Sequence, residues 1–500
     1  MNESFLFVRP PRPLWPFNGP GSAFWPPLAF ASMAAALRRA LPNLQVAILD
    51  APALEMGWKS LTRELQRRQP SFVGIGEEAV SCVEGLRIAA LAKECGAKVI
   101  AGGCFFGNVA EEILRTGQVD VVVHGEGEMT IVELVQALRE NSAGALRHVA
   151  GISFRDGEEV IRTAPRELIA DLDMLPLPAY DLLPVERYGQ KSKNHAGLAA
   201  IELGRGCSCA CEFCVLWRQM GKTVGNRVLP HLRVKSVARV LEEIRILMDR
   251  HDRRFLGWVD PCFNAHPETP GELAEGLLRE GRRVNQSAWV RADYVLRDDA
   301  SGALAACVAS GLCEMYLGLE RMEKDRLQAL HKGNLHNEGE KALWLLARKY
   351  PQVFTIGSFI YNLPGDTPAI VRRLFREAYR APMDMSFFIP LTPLPGTPFW
   401  KNAEWDATGE AMREFDFLLH FHGEGLKARL SRTLVLCYGF SWPKERLFRF
   451  LTGIISRDAR RRSITRRNVA RLNWYCARAL ANGLAGRREF AMSLPSWYNS

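Results

Sequence analysis

Over the first 140 residues, short runs of consecutive apolar positions alternate with longer stretches of helical periodicity. Phe5–Val8, Val46–Leu49, Phe72–Ile75, Lys98–Ala101 and Val119–Val123 have the length and continuity of strands buried on both faces. Leu28–Leu41, Trp58–Arg68, Val83–Cys95, Asn108–Gly117 and Glu128–Glu140 space their apolar residues as helices do. Five strands alternating with helices predict an α/β fold with an open, doubly wound, mostly parallel sheet, whose ligand loops lie at the carboxyl ends of the strands. Those loops are Arg9-Pro10-Pro11, Gly76-Glu77-Glu78, Gly102-Gly103-Cys104 and His124-Gly125-Glu126-Gly127-Glu128. Their glycines allow close backbone approach, and the helices they open offer N-terminal amides to a polar ligand. His124 is expected to be a hydrogen-bonded residue and not a ligand.

Gly151–Phe154 and Val160–Ile161 flank Asp156-Gly157 and predict a hairpin, after which Leu175-Pro176-Leu177-Pro178 to Leu183-Pro184 reads as a linker. A second alternation then begins. Ala199–Leu203, Arg254–Val259, Ser287–Val290, Met315–Leu319, Thr355–Tyr361 and Met385–Pro390 predict six strands, with Val237–Asp249, Pro270–Glu280, Ala300–Ser310 and Pro368–Tyr379 among the helices between them. Six strand–helix units predict a partial (β/α)6 barrel with its chemistry at the carboxyl strand ends. Trp405–Gly423, Ser441–Ser456 and Ser463–Ala485 predict a helical C-terminal region. The expected organisation is a first domain over 1–145, hairpin and linker over 146–195, a barrel over 196–404 and a basic helical region over 405–500.

The composition, 47% hydrophobic and 24% charged, is that of a globular chain and excludes fibrous or largely disordered classes. The longest uncharged run, Pro13 to Leu37, is broken by five prolines, so no spanning helix is expected. The N-terminus shows no export signal, and a cytoplasmic protein is expected. From Lys427 to Ser500 sixteen Lys and Arg face three acids, so the net charge of +10 belongs to that segment. It could meet an acidic partner or a membrane surface, or form a solvated face. It lacks interleaved stacking aromatics, so nucleic acid is not the expected partner.

Eight of the twelve cysteines are scattered and read as small buried hydrophobes, whereas Cys207, Cys209, Cys211 and Cys214 fall within eight residues just after a predicted strand. Soft thiolates this close select zinc or an iron–sulfur cluster. Zinc would need a second ligand pair, and none follows at a suitable distance.

The spacing Cys207-x-x-x-Cys211-x-Phe213-Cys214 resembles the motif of the radical S-adenosylmethionine (SAM) superfamily. The resemblance implies that Cys207, Cys211 and Cys214 hold a [4Fe–4S] cluster, with Phe213 as the motif's aromatic and Cys209 as an extra cysteine. It implies that SAM chelates the open iron and is cleaved, on electron transfer, to methionine and a 5′-deoxyadenosyl radical. An electron donor such as flavodoxin or ferredoxin is then expected. Asp260-Pro261-Cys262-Phe263, Trp289-Val290-Arg291-Ala292-Asp293, Gly318-Leu319-Glu320, Leu363-Pro364-Gly365-Asp366-Thr367 and Thr392-Pro393-Leu394-Pro395-Gly396-Thr397 resemble the family's later strand-end motifs. Pro261 and Asp366 depart from the family's usual Asp and Glu. By this resemblance Phe213, Arg291, Glu320, Gly365 and Gly396 are expected at the SAM site; otherwise Arg291 and Glu320 would pair with each other.

The domain order resembles the cobalamin-binding radical SAM group, in which the corrin lies on the carboxyl ends of the first sheet. Gly102, Gly103, Gly125, Glu126, Gly127 and Glu128 are the expected cobalamin contacts. The Asp-x-His-x-x-Gly signature that supplies a histidine to cobalt is absent. The resemblance implies a cobalamin-dependent C-methyltransferase acting on an unactivated carbon of a small or lipophilic substrate. A radical cyclase or oxidase resembling the anaerobic Mg-protoporphyrin monomethyl ester cyclase is the alternative. Trp15, Trp25, Phe105, Phe106, Trp258, Phe387 and Phe388 would suit a flat substrate or belong to the core. An RNA-modifying methylthiotransferase and a non-catalytic metal module complete the alternatives.

Overall fold

A computed structural model describes residues 3–11, 25–76, 82–140, 143–189, 195–332, 337–361, 363–391, 394–402 and 500. Trp15, the side chain of Phe387 and the expected C-terminal helices lie outside the described residues. Two α/β layers account for the rest. Strands β1 (Ser4–Arg9), β2 (Gln45–Asp50), β3 (Phe72–Gly76), β4 (Lys98–Gly102) and β5 (Val121–Val123) pair in parallel in the order β2-β1-β3-β4-β5. The expected hairpin, β6 (Ile152–Asp156) and β7 (Glu159–Arg162), continues this sheet antiparallel to β5. Phe5, Leu6, Phe7 and Val8 are almost fully buried, the condition that an uninterrupted apolar run predicts for a strand covered on both faces.

In the second layer β8 (Leu198–Ile201) is followed by three short strands, β9 (Gly204–Gly206), β10 (Lys222–Val224) and β11 (Arg227–Leu229), and then by β12 (Leu232–Val234). β9 pairs with β12, and β10 with β11, each antiparallel. β13 (Phe255–Trp258), β14 (Asn285–Val290), β15 (Leu312–Glu320), β16 (Phe354–Tyr361) and β17 (Met385–Pro390) complete a parallel six-stranded sheet in the order β17-β16-β15-β14-β13-β8. Among the described residues β8 and β17 are the edges of that sheet and do not close on each other, the arrangement of a partial barrel. Its helices carry local stop and start signals. Ser236 caps the helix Val237–Asp249 by accepting from the amide of Arg239 at 3.2 Å, and Thr367 caps Pro368–Arg380 through the amide of Ile370 at 3.3 Å.

The proline-rich segment does more than connect. Ala179, Tyr180, Leu183 and Tyr188 belong to one buried apolar cluster that runs from Phe5, Phe30 and Leu134 of the first layer to Ile201, Val240 and Leu317 of the second. The Tyr180 hydroxyl donates to the carboxylate of Glu243 at 2.5 Å, and the Tyr188 hydroxyl to that of Asp50 at 2.7 Å. Each phenol thus binds a different layer. Burial beside a carboxylate pushes both phenols well above their ordinary pKa, so they stay protonated donors. No helix among the described residues is long and apolar enough to cross a membrane.

Candidate active site

The carboxyl ends of the first sheet face the mouth of the barrel across a cavity of about 630 Å³. Its first wall includes Phe7, Arg9, Gly76, Gly102, Gly103, Cys104 and Gly125 to Glu128, and its second Glu202, Gly204 to Gly206, Met220, Trp258, Pro261 and Trp289. All six residues expected at a cobalamin site therefore line one cavity, with both glutamates turned to a partner. Arg205 donates to Glu126 at 2.8 Å, to Glu128 at 2.6 Å and to Glu202 at 3.0–3.1 Å. Arg233, opposite Arg205 in the β9–β12 pair, donates to Glu126 at 2.8 Å. Glu126, Glu128, Arg205 and Arg233 are buried. Glu126 and Glu128 thus line the cavity and also form the first layer's half of an ion-pair lock onto the second.

Arg205 was not among the expected site residues. The signal available was a cation flanked by glycines at a strand end, Gly204-Arg205-Gly206, since a charge in a buried strand requires partners. The glycine at 206 has φ +91°, and a Cβ there would lie 1.9 Å from the carbonyl oxygen of His231. Only glycine lets β12 close onto β9 at that point.

β9 leads directly into the cysteine loop. Cys207, Cys211 and Cys214 are free thiols, and the amide of Cys207 donates to the carbonyl of His231 at 3.1 Å. Tyr294 reaches Ser208 at 2.9 Å and the Cys209 thiol at 3.8 Å. Arg291, Glu320 and Lys332 come to the cysteine loop from β14, β15 and the turn after the helix Lys324–Ala329, and the charges of all three act on the Cys211 thiol. Lys332 stands 5.8 Å from the centre of the Phe213 ring.

Arg291 and Glu320 do not pair with each other. Arg291 is held by Asp293 at 2.8–3.0 Å and by the carbonyl of Lys332 at 3.1 Å, while Glu320 accepts from the Lys332 ammonium at 2.9 Å. The Nη1 of Arg291 is buried and has no hydrogen-bond partner among the described residues. Glu320 sits at a bulge of β15 with φ +59°, a left-handed backbone rare for a side chain of this kind and common where a site imposes geometry.

Gly365 and Gly396 are in left-handed turns. Gly365 lies beside the Arg326 guanidinium, and Gly396 beside the Asn108 side chain of the first layer. Asp260 accepts from the amides of Leu203 and Gly204, so it braces the turn into β9, and burial pushes its carboxyl up to about 7. His124 shares a 2.8 Å hydrogen bond with Ser153, and burial, reinforced by Arg162, brings it down to about 4. It is a neutral, satisfied side chain.

Among the aromatics, Phe105, Phe106 and Phe388 are core, whereas Trp25 and Trp258 line the cavity. Trp289, which the sequence placed in a strand-end motif but not among the candidate aromatics, also faces it and stacks on Tyr316 at 4.7 Å between ring centroids.

Residues 21–135 match the family model described as B12 binding domain. An uncharacterized methyltransferase of Pyrococcus horikoshii is 28% identical over 76% of this chain and 78% of its own length. The anaerobic magnesium-protoporphyrin IX monomethyl ester cyclase of Cereibacter sphaeroides is 26% identical over 76% of this chain and 60% of its own length. A Methanocaldococcus jannaschii protein named "Putative methylthiotransferase" is 31% identical over 68% of this chain and 70% of its own length. The radical SAM methyltransferase TsrM of Kitasatospora setae, solved with cobalamin and a [4Fe-4S] cluster bound, matches in fold with a TM-score of 0.62 at 18% identity, over 80% of this chain and 74% of TsrM. The chain belongs to the cobalamin-binding radical SAM superfamily.

The residues present fit the cofactors of that superfamily. Among the described residues no three His, Cys, Asp or Glu side chains could hold a single metal ion. A [4Fe–4S] cluster instead takes each thiolate on a different iron, so its ligands stand apart on one loop. The Nη1 of Arg291 is a buried donor unpartnered among the described residues, and a carboxylate such as SAM carries would supply an acceptor. In the cavity, the small residues Gly102, Gly103 and Gly125 leave room for a broad ligand over the strand ends.

Proposed function

We propose that this radical SAM protein is a cobalamin-dependent C-methyltransferase whose substrate lies between a cluster held by Cys207, Cys211 and Cys214 and a corrin held over Gly102, Gly103 and Gly125 to Glu128. The observation that carries the reading is the shared cavity, with the first sheet's ligand loops on one wall and the barrel mouth on the other. When bound, the cluster and SAM supply a carbon-centred radical, and the corrin supplies a methyl group. The chain's own part is to bind, orient and exclude water. Arg291 and the Glu320–Lys332 pair present one free donor and a fixed dipole to the zwitterionic end of SAM. Trp25, Trp258 and Trp289 line the shared cavity, and their apolar surface favours a flat or lipophilic substrate.

The test is anaerobic reconstitution with iron, sulfide and hydroxocobalamin, then incubation with methyl-deuterated SAM. About four irons and one cobalt per chain are expected, with S-adenosylhomocysteine and 5′-deoxyadenosine both released. Iron without cobalt would overturn the methyl-transfer reading. Similarity to the cyclase supports a second reading, oxidative cyclisation of a tetrapyrrole, for which deoxyadenosine would form without S-adenosylhomocysteine.

A further inference from the structure

Past Cys214 the chain forms a short helix, Leu216–Gln219, and then the β10–β11 ribbon. Every residue of both ribbon strands is exposed. Leu216, Val224, Val228 and Leu229 are four of only ten exposed large hydrophobic residues among the described ones, gathered within fourteen positions of one loop system. In the ribbon Lys222 stands opposite Leu229, and Val224 opposite Arg227. Directly opposed residues of an antiparallel pair share a face, as do alternate residues of a strand. Lys222, Leu229, Val224 and Arg227 therefore form one surface, two apolar side chains and two cations placed on a diagonal.

The surrounding stretch of sequence supplies no acid to offset those cations. From Phe213 to Leu241 the sequence has Arg218, Lys222, Arg227, Arg233, Lys235 and Arg239 and no Asp or Glu. Arg233 and Lys235 are taken up by buried pairs with Glu126 and Glu243, and Arg239 by Glu242, which leaves the ribbon as the outward cationic end of the segment. The ribbon is also anchored to the cysteine loop, because the Cys207 amide donates to His231, the residue just before β12.

We propose that the β10–β11 ribbon is the docking surface for an acidic one-electron carrier protein that reduces the cluster of the cysteine loop. The inference rests on the radical SAM reading, whose cluster needs an electron from outside the chain. The step is simple in its balance: the reduced carrier loses one electron, the cluster gains it, and no bond or proton moves. An apolar centre flanked by cations suits a small, transient interface in which charge steers the encounter and apolar contact holds it. The position suits the task, since the ribbon follows the last cluster ligand by eight residues.

The test uses the full, reconstituted chain with flavodoxin as the carrier, and compares it with the double variant Lys222→Glu/Arg227→Glu and with Leu229→Ser. Flavodoxin affinity by calorimetry is expected to fall about tenfold or more in the charge-reversed variant. Bleaching of the cluster absorption by reduced flavodoxin should slow to the same degree, while bleaching by dithionite keeps its wild-type rate. Added salt should weaken wild-type binding and leave the charge-reversed variant almost unaffected. Leu229→Ser should lose affinity and retain the salt dependence. Unchanged flavodoxin affinity in both variants, or equal slowing with flavodoxin and dithionite, would overturn the proposal. Failure of the radical SAM reading is separable, because it appears as absent iron in the metal count before any carrier is added.

Discussion

Arg291 spends three of its contacts on Asp293 and the Lys332 carbonyl and holds its remaining buried nitrogen without a partner. Leaving a buried guanidinium donor unsatisfied costs about 1–3 kcal/mol, which a ligand carboxylate would return. Replacing Arg291 by Lys keeps the charge and removes the fork. SAM affinity of the reconstituted protein, measured by calorimetry, is expected to drop at least about tenfold with the iron content unchanged. His124 makes a different prediction. Its folded pKa is depressed to about 4, so its contribution is complete above the ordinary value of 6.5 and is lost as pH falls toward 4. Across that window stability should decline with a slope of up to about 1.4 kcal/mol per pH unit that is absent from His124→Asn, as read by denaturation at several pH values.

Strands and helices were the most legible part of the sequence, because a doubly buried parallel strand leaves an unbroken apolar run and a capped helix announces its start. The extra strands β9 to β12 were not legible. They are three residues each, too short for periodicity, and β9 and β12 pair because glycines at 204 and 206 let two backbones close on one another. The same short range explains the site. Cys207, Cys211 and Cys214 declare themselves by spacing within one loop, whereas Lys332 reaches Glu320 from a turn with no motif of its own. Glu126 and Glu128 stand in a loop that reads as a strand-end turn and line the cavity, but their partner Arg205 lies seventy-nine positions along the chain from Glu126. At β13 one position can be tested directly. A Cβ added to Gly257 would lie 2.2 Å from the Trp25 ring, too close for any side chain. Gly257→Ala should cost about 1–3 kcal/mol and shift Trp fluorescence, and Trp25→Ala in the same chain should recover part of the loss.

At the scale of the molecule, the two layers are joined by charge as well as by apolar packing. Arg205 neutralises carboxylates from both, and its replacement by Met would leave Glu126 and Glu128 buried with too little positive charge. A loss of about 3–5 kcal/mol is expected in urea denaturation, with both layers melting together. Separate melting of the two would contradict the continuity of the core from Phe5 to Leu317. Tyr180 and Tyr188 make the same point chemically, since a segment that reads as a spacer has its hydroxyls committed to Glu243 on one side and Asp50 on the other. A cleft whose opposite walls share one interior has a width decided when the chain folds. Under the proposed function it acts as a gauge, in which Trp25, Trp258 and Trp289 set the shape that molecules of similar chemistry meet. Evolution of a new preference in such a protein would proceed by changing the gauge's teeth one side chain at a time.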